Sequence, residues 1–293
     1  MAICTFNRSH LLARTLESLA RQRDLAWEHA ELLVIDNNCT DDTAQVVDTY
    51  TSQLPIRRVL ETAQGHNHAR NRALTEFRGD WLIFTDDDVL LSPYWLMEYR
   101  EAFKNFPQAS FAGGRILPDW SGPTPAWFKG EKLDLLDGAL VKFDLGAETR
   151  LLEADEPEPF GASFALRRSA IDKLGSFDPA LGQKGKRLGR GDETVYLRRM
   201  KRTGEKGIYV GRAECLHLVD RRRLTLRGLF QYGIASGVGH KAISDASAQG
   251  SYLLASILLL RGLIQLVKLR GDRFRQCVIG AGVQVGLRKI GEV

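Results

Sequence analysis

The chain has 293 residues, 44% hydrophobic and 26% charged, a balance that excludes the disordered and collagen-like classes and supports a real core. Its formal charge of +5 is too small to mark a nucleic-acid binder. The charge is polarised, however: from Arg212 onward 13 Lys and Arg face 5 Asp and Glu, whereas the first 211 residues carry 28 against 31.

In chain order, Ala2 to Phe6 reads as a strand, and His10 to Gln22 as a helix with Leu11, Leu12, Leu16 and Leu19 on one face. Because that strand begins so close to Met1, it is expected to be short. Leu32 to Ile35 is an uninterrupted apolar strand ending at Asp36, and Asp41 or Asp42 can cap the following helix, Thr43 to Tyr50. A weaker strand at Ile56 to Leu60, a helix at His66 to Phe77 and a buried strand at Trp81 to Thr85 repeat the unit. Alternation at this spacing predicts an α/β fold: a Rossmann-like, mostly parallel sheet with right-handed crossovers and helices on both faces.

Residues 107 to 160 change character. Six prolines and several glycines there predict irregular hairpins and loops over the sheet. A helix at Arg167 to Leu174 follows, then a glycine- and lysine-rich stretch from Gly182 to Gly191 expected to move, then a helix at Glu193 to Thr203. From Leu224 the pattern is helical, apolar and basic. Its longest uncharged run, Ala246 to Leu260, is shorter than the roughly 18 to 20 residues needed to span a bilayer. Tyr252 to Leu269 therefore suits a buried or interfacial helix, with Arg261, Lys268, Arg270, Arg273 and Arg275 available to anionic headgroups.

In sheets of this kind ligands bind beyond the carboxyl ends of the strands, where Thr5 to Arg8, Asp36 to Asn38 and Asp86 to Asp88 fall. Three consecutive aspartates repel one another unless a positive charge joins them. Hard carboxylate oxygens select Mg²⁺ or Mn²⁺, which completes its shell with phosphate oxygens and water. The alternative for the triplet is a solvated acidic turn capping a helix that starts near Pro93.

Four ordered segments carry a family resemblance. Ile3-Cys4-Thr5-Phe6-Asn7-Arg8 resembles a "TYNR" strand end, and Val34 to Asp41 resembles "VVDNxSxD". Gln64 to Arg72 is similar to a "G…ARN" element, and Phe84-Thr85-Asp86-Asp87-Asp88 to a "DxD" site. Each alone is weak; four in order, each at a strand end or helix start, are specific. Together they resemble the nucleotide-binding half of family 2 glycosyltransferases of the GT-A fold, and the likeness continues through residues 160 to 220. It implies a transferase domain over residues 1–222, with a nucleotide-binding half at 1–106 and an acceptor-binding half at 107–222. A helical, basic extension at 223–293, suited to a membrane surface, completes the expected organisation.

The resemblance implies roles as well. Asp36 would accept from the uracil ring of a UDP-sugar, with Thr5, Asn7 and Arg70 around the nucleoside and Asp86 and Asp87 near the ribose. Asp88 would be the direct ligand of Mn²⁺ or Mg²⁺, with Asp86 beside it and His217 near the diphosphate and metal. Phe160-Gly161-Ala162-Ser163 resembles a segment lining donor sugar and acceptor. Gly191-Asp192-Glu193-Thr194 resembles a "GED" helix start whose carboxylate is the general base. Here the two acids are swapped, so the catalytic pair is Glu193 and Asp192, with the base left open between them. An inverting transfer needs one carboxylate to remove the acceptor proton while that oxygen attacks the anomeric carbon opposite the departing UDP. Asp36 has a second reading as a helix cap or Asx turn, and His217 as a structural histidine. Arg221-Arg222-Arg223 reads either as a diphosphate clamp or as a solvated turn. His66 and His68 read as loop polar groups, and Trp120, Trp127 and Phe128 as packing under the loops rather than as an acceptor platform.

The expected function is therefore an inverting, metal-dependent transfer from a UDP-sugar to a glycan or lipid-linked glycan hydroxyl, in cell-envelope or exopolysaccharide synthesis, with no nucleic-acid partner. A sugar-1-phosphate nucleotidyltransferase would need a GxGxRL-like loop where Thr5 to Ser9 stands, and a non-catalytic carbohydrate- or membrane-binding protein on this scaffold is the other alternative. Cys4, Cys39, Cys215 and Cys277 are widely spaced and form no CxxC pair, and no leader pattern opens the chain. A cytoplasmic protein, with contact at the inner face of the cytoplasmic membrane, is the expectation.

Overall fold

A computed structural model of the chain describes residues 1–24, 27–129, 134–182, 191–243, 252–268 and 270–289. The first half alternates β1 (Ala2–Thr5), α1 (Ser9–Ala20), β2 (Leu32–Asp36), α2 (Thr43–Thr49), β3 (Ile56–Leu60), α3 (His66–Glu76) and β4 (Trp81–Thr85). Then come β5 (Val89–Leu91), α4 (Trp95–Asn105), β6 (Ala109–Asp119), α5 (Asp134–Leu140), β7 (Thr149–Leu151), β8 (Ser163–Arg167) and α6 (Arg168–Leu174). The chain continues with α7 (Asp192–Arg202), β9 (Lys206–Leu218), α8 (Leu226–Ile243), α9 (Tyr252–Val267) and α10 (Gly271–Lys289).

The sheet runs β3-β2-β1-β4-β8-β6-β9-β5, with β7 on β9. The expected parallel part is present: β3, β2, β1 and β4 pair in parallel. From β8 onward the registered pairs are antiparallel. β1 is short, four residues at the centre of the parallel part, and pairs Thr5 with Asp36 and Ile3 with Thr85. That register brings the carboxyl ends of β1, β2 and β4 to one edge. All five residues of β2 are buried, as an unbroken apolar run in a covered parallel sheet requires. Phe84, Phe111, Phe164, Phe177, Tyr196 and Leu197 belong to one core cluster built on the sheet.

Two local expectations change. The buried face of α1 carries Leu12, Thr15, Leu16 and Leu19, with Thr15 in place of Leu11. Thr15 Oγ1 donates to Val89 O at 2.9 Å and accepts from Val89 N at 3.2 Å, so the hydroxyl pins the start of β5. The prolines and glycines of 107–160 do not make that region loops alone, because β6 is an eleven-residue strand within it. Its glycines mark close approach: a Cβ on Gly113 would strike Pro159, and one on Gly114 would lie 2.7 Å from Ala213 O. Asp41, rather than Asp42, serves the helix starts: its carboxylate accepts from Thr43 N (3.2 Å) and Thr43 Oγ1 (2.6 Å) before α2, and from Ser9 N (2.8 Å) at α1.

The described residues divide into two compact units, one within Met1–Leu117, Phe143–Gly185 and Asp192–His217, the other within Pro118–Lys142 and Leu218–Val293. Pro118–Lys142 thus groups with the C-terminal helices, where sequence placed it in an acceptor-binding half. In this second unit Trp120, Leu136, Leu229, Phe274 and Ile279 form a core. Trp120 lies 6.0 Å from Trp127 and 5.1 Å from Phe128 between ring centroids, the packing role expected of these aromatics. Glycines let α8 and α10 touch backbone to backbone: Gly282 faces Phe230 O, and Gly286 faces Ile234 O. Most of the segment Gly182 to Gly191, and residues 246–251 of the uncharged run, lie outside the described residues.

Candidate active site

The site is built at the shared edge of β1, β2 and β4, within the first unit. Asn7 adopts φ 53°, and its Oδ1 accepts from Thr40 N at 2.7 Å, tying the turn after β1 to the turn after β2. Asn37 performs the same service one strand further out. Its amide donates to Glu61 O and Ala63 O at 3.0 and 2.8 Å, and its Oδ1 accepts from Gly65 N at 2.8 Å. Gly65 has φ 142°, which a side chain rarely tolerates, and it delivers the chain into α3.

Asp36 is buried with both oxygens engaged: Oδ1 accepts from Cys39 N and Oδ2 from Arg58, each at 2.8 Å. The turn-closing reading of Asp36 is therefore realised, and its outer oxygen is oriented by a guanidinium on β3.

The triplet Asp86 to Asp88 does not cap α4, since β5 intervenes and Tyr94 stands at that helix's N-cap without a side-chain bond. Instead Asp87 turns inward and accepts from Thr5 Oγ1 at 2.8 Å. The positive group that joins the acids is Arg8, whose Nη1 lies 2.8 Å from Asp87 Oδ1 and 2.9 Å from Asp88 Oδ2. Burial, with the Asp88 charge adding to it, pushes Asp87 up to about 6 against the opposing pull of Arg8.

β5 then pairs antiparallel with β9, setting Val89 opposite His217. His217 is consequently brought to the acids: its Nε2 is 3.3 Å from Asp88 Oδ1 and 4.0 Å from Asp86 Oδ2. Ligand atoms of Asp86, Asp88 and His217 all lie within 4.8 Å of one another. Two carboxylates and an imidazole at that spacing fit a divalent ion of the Mn²⁺ or Mg²⁺ kind.

The second acidic cluster forms where the start of α7 meets α3. Arg70, only 2% exposed, places Nη1 2.5 Å from Asp192 Oδ2 and 3.4 Å from Glu193 Oε2, with Cζ 5.4 Å from the Phe164 ring centre and 5.5 Å from that of Phe177. Sequence put Arg70 around the nucleoside; the structure engages it with the acidic pair. His66, read as a loop residue, opens α3 and sets Nδ1 3.5 Å from Asp192 Oδ2.

Burial alone would raise Asp192, but Arg70 and His66 outweigh it and hold this carboxyl well below the usual range. Glu193 moves the other way: burial and the Asp192 charge together push it up to about 7, and Arg70 only partly offsets them. Asp192 is thus the fixed anion, and Glu193 is the carboxyl poised to exchange a proton near neutrality.

The segment Gly161 to Ser163 links the clusters. Thr85 Oγ1 donates to Ala162 O at 2.8 Å, and Thr85 pairs with Ser163 across β4 and β8. A Cβ on Gly161 would strike the Arg70 guanidinium and come 3.8 Å from Glu193 Cδ. The half-buried Cys4 thiol, raised to about 12 chiefly by desolvation, lies within electrostatic reach of Arg70, Asp86, Asp87 and Asp192 together, so both clusters share one neighbourhood.

Arg8, Arg58 and His66 are the site residues that sequence missed. Each pairs with a carboxylate distant in the chain, a contact that no local spacing announces. Of the basic run, Arg221 donates to Trp120 O at 3.2 Å, and Arg222 pairs with Asp220 on an exposed turn. Among the described residues, His68 makes no polar contact in this site.

Comparison with known proteins agrees with the geometry. The model for glycosyl transferase family 2 matches residues 1–175. A glucosyl-dolichyl phosphate glucuronosyltransferase of Haloferax volcanii is 24% identical over 284 residues, covering 93% of this chain and 87% of that protein. The succinoglycan biosynthesis protein ExoM of Rhizobium meliloti is 26% identical over 266 residues, with 85% and 76% covered. Among solved structures, the mannosyltransferase PcManGT of Pyrobaculum calidifontis, in complex with GDP-Man and Mn²⁺, aligns at a TM-score of 0.65 and 19% identity. That alignment covers 98% of this chain and 86% of the other, and it shows a common fold.

Proposed function

As this chain belongs to glycosyl transferase family 2 and is a glycosyltransferase of the GT-A fold, we propose that it transfers a sugar with inversion from a nucleotide-diphosphate donor, a UDP-sugar, to a hydroxyl of a glycan or lipid-linked glycan. The observation that carries this reading is the pairing, in one neighbourhood, of a divalent-ion site at Asp86, Asp88 and His217 with a carboxyl at Glu193 raised to about 7. A divalent ion held by Asp86, Asp88 and His217 would supply positive charge to neutralise the departing diphosphate. Nucleotide-sugar and Mn²⁺ in the PcManGT complex support the same donor class.

Glu193 is the general base. With a pKa near the working pH it exists partly as carboxylate, yet holds a proton firmly enough to accept one from a hydroxyl as that oxygen attacks. Asp192 serves Glu193 in two ways: it anchors Arg70, and its charge keeps the neighbouring carboxyl basic. The acceptor oxygen displaces the nucleotide from the opposite face of the anomeric carbon, so one step inverts the centre without a covalent intermediate. Thr5, Asn7 and Asp36 shape the nucleoside end, with Asp36 accepting a base N–H beside its bond from Arg58. Asp86 lies toward the ribose, whereas Asp87, which sequence placed there too, is turned inward onto Thr5 and Arg8 and supports the site from behind. Arg70 acts as a positioning residue for the acidic pair.

The names of the two relatives, one acting on a dolichyl-phosphate-linked sugar and one in succinoglycan synthesis, support an acceptor in cell-envelope or exopolysaccharide synthesis. Four cysteines without disulfides suit a reducing cytosol. The test is nucleotide release from UDP- and GDP-sugars with Mn²⁺ present or absent, for the wild type and Glu193→Gln. We expect release from UDP-sugars that requires the metal, and a variant that binds UDP normally but does not turn over. Full turnover by Glu193→Gln would remove the base, and preference for GDP-sugars would remove the proposed donor.

A further inference from the structure

We propose that the outer face of α9 is a docking surface for an anionic lipid membrane, with the helix lying in the plane of the interface. The inference concerns the second unit and is independent of the transfer chemistry. α9 seats itself on its neighbours through small residues: Ala255 is buried, and a Cβ on Gly262 would stand 3.1 Å from both Phe274 and Cys277 of α10. Little of the helix is used up by that contact. Ile257, Leu259, Leu260, Leu263 and Ile264 remain 38 to 62% exposed. Positions 257, 260 and 264 follow the spacing of one helical face, and 263 lies beside them. Single exposed leucines are ordinary, but five on one helix form a contiguous apolar patch that marks an interaction site.

Charge identifies the occupant. Residues 252–289 carry seven Lys and Arg against one Asp. Arg261 on α9, Lys268 and Arg270 just beyond it, and Arg273 early in α10 are exposed. A second copy docked face to face would set these cations against their own counterparts. An anionic bilayer instead accepts both features: apolar side chains enter the acyl boundary, while the long basic side chains reach the headgroups. The 16 described residues of α9 extend ~24 Å, less than the hydrocarbon core, which suits a helix lying in the interface. Among the described residues no helix is long and apolar enough to cross a membrane.

The full chain tests this by flotation with vesicles of phosphatidylcholine and phosphatidylglycerol, with pure phosphatidylcholine as control. The wild type should float with the anionic vesicles, less so as salt rises. Leu260→Asp/Ile264→Asp should abolish flotation, and Lys268→Gln/Arg270→Gln should weaken it roughly 25-fold at low salt, about fivefold for each charge. Both variants should keep the wild-type unfolding temperature, since the substituted positions face solvent. The proposal is overturned if the wild type ignores anionic vesicles or binds neutral ones as well, or if both variants float like the wild type. A wild-type dimer in light scattering that Leu260→Asp dissolves, without vesicle binding, would assign the face to a second copy instead.

Discussion

Two arginines, Arg8 and Arg70, each join a pair of carboxylates, and the pairs relieve the same electrostatic problem differently. Arg70 is 2% exposed and faces Asp192 and Glu193, whereas the Arg8 side chain is 37% exposed and faces Asp87 and Asp88. In each cluster two acids outnumber one cation, so a negative charge is left over. Around Arg70 the guanidinium is sealed from water, and burial together with the Asp192 charge raises Glu193 to about 7, so the surplus can be relieved by a proton. Around Arg8 a third acid, Asp86, and His217 stand close by, and the surplus suits a divalent ion. One kind of pairing thus leaves a raised carboxyl beside the buried guanidinium and a group of ligand atoms suited to a cation beside the exposed one.

The largest effect expected from breaking this contrast is on turnover. Glu193→Gln keeps the shape of the side chain but cannot take a proton, and turnover should fall by about 10²–10⁴-fold with donor binding intact. Steady-state rates and nucleotide calorimetry on the same preparation check both halves of that statement. Next is stability. Arg70→Ala leaves Asp192 buried beside Glu193 without its guanidinium and should cost about 3–5 kcal/mol in chemical denaturation.

Arg8→Ala should cost less, about 1–2 kcal/mol, because its guanidinium is already partly in water. Added Mn²⁺ should recover that loss in a thermal unfolding series, and should not recover the loss in Arg70→Ala. Equal losses, or rescue of both, would show that the clusters do not differ as described.

The smallest expected effect concerns pH. As the proposed base, Glu193 would act as carboxylate, so the rate should fall as pH drops through about 7. Asp192→Asn removes the neighbouring charge that helps raise Glu193, so the acid limb of the pH–rate profile should move to lower pH. A limb that stays in place would mean that another group titrates.

Sequence made the parallel half legible because its signals are local. Short unbroken apolar runs leading into Asp36 and Thr85, alternating with helix-period segments, fit strands covered on both faces, and in a parallel sheet the acids at their ends meet at one edge. The antiparallel half was opaque for the opposite reason. Gly113 and Gly114 look like breakers in a linear reading, yet they sit inside β6 because Pro159 and the Ala213 carbonyl leave no room for a Cβ. His217 was legible as a metal candidate only by resemblance; what places it is the three-residue β5, too short to announce itself. Arg8, Arg58 and His66 find their acids across 79, 22 and 126 positions, and only the fold closes such distances.

The central claim is that Asp86, Asp88 and His217 hold one divalent ion shared with a nucleotide diphosphate. Crystals grown with Mn²⁺ and UDP, measured at the manganese absorption edge, test it most directly. The account predicts a single anomalous peak bonded to Asp88 and His217, with Asp86 in reach and both phosphates of UDP on the same ion. Ordered UDP with no peak there, or a peak remote from these three side chains, would contradict it.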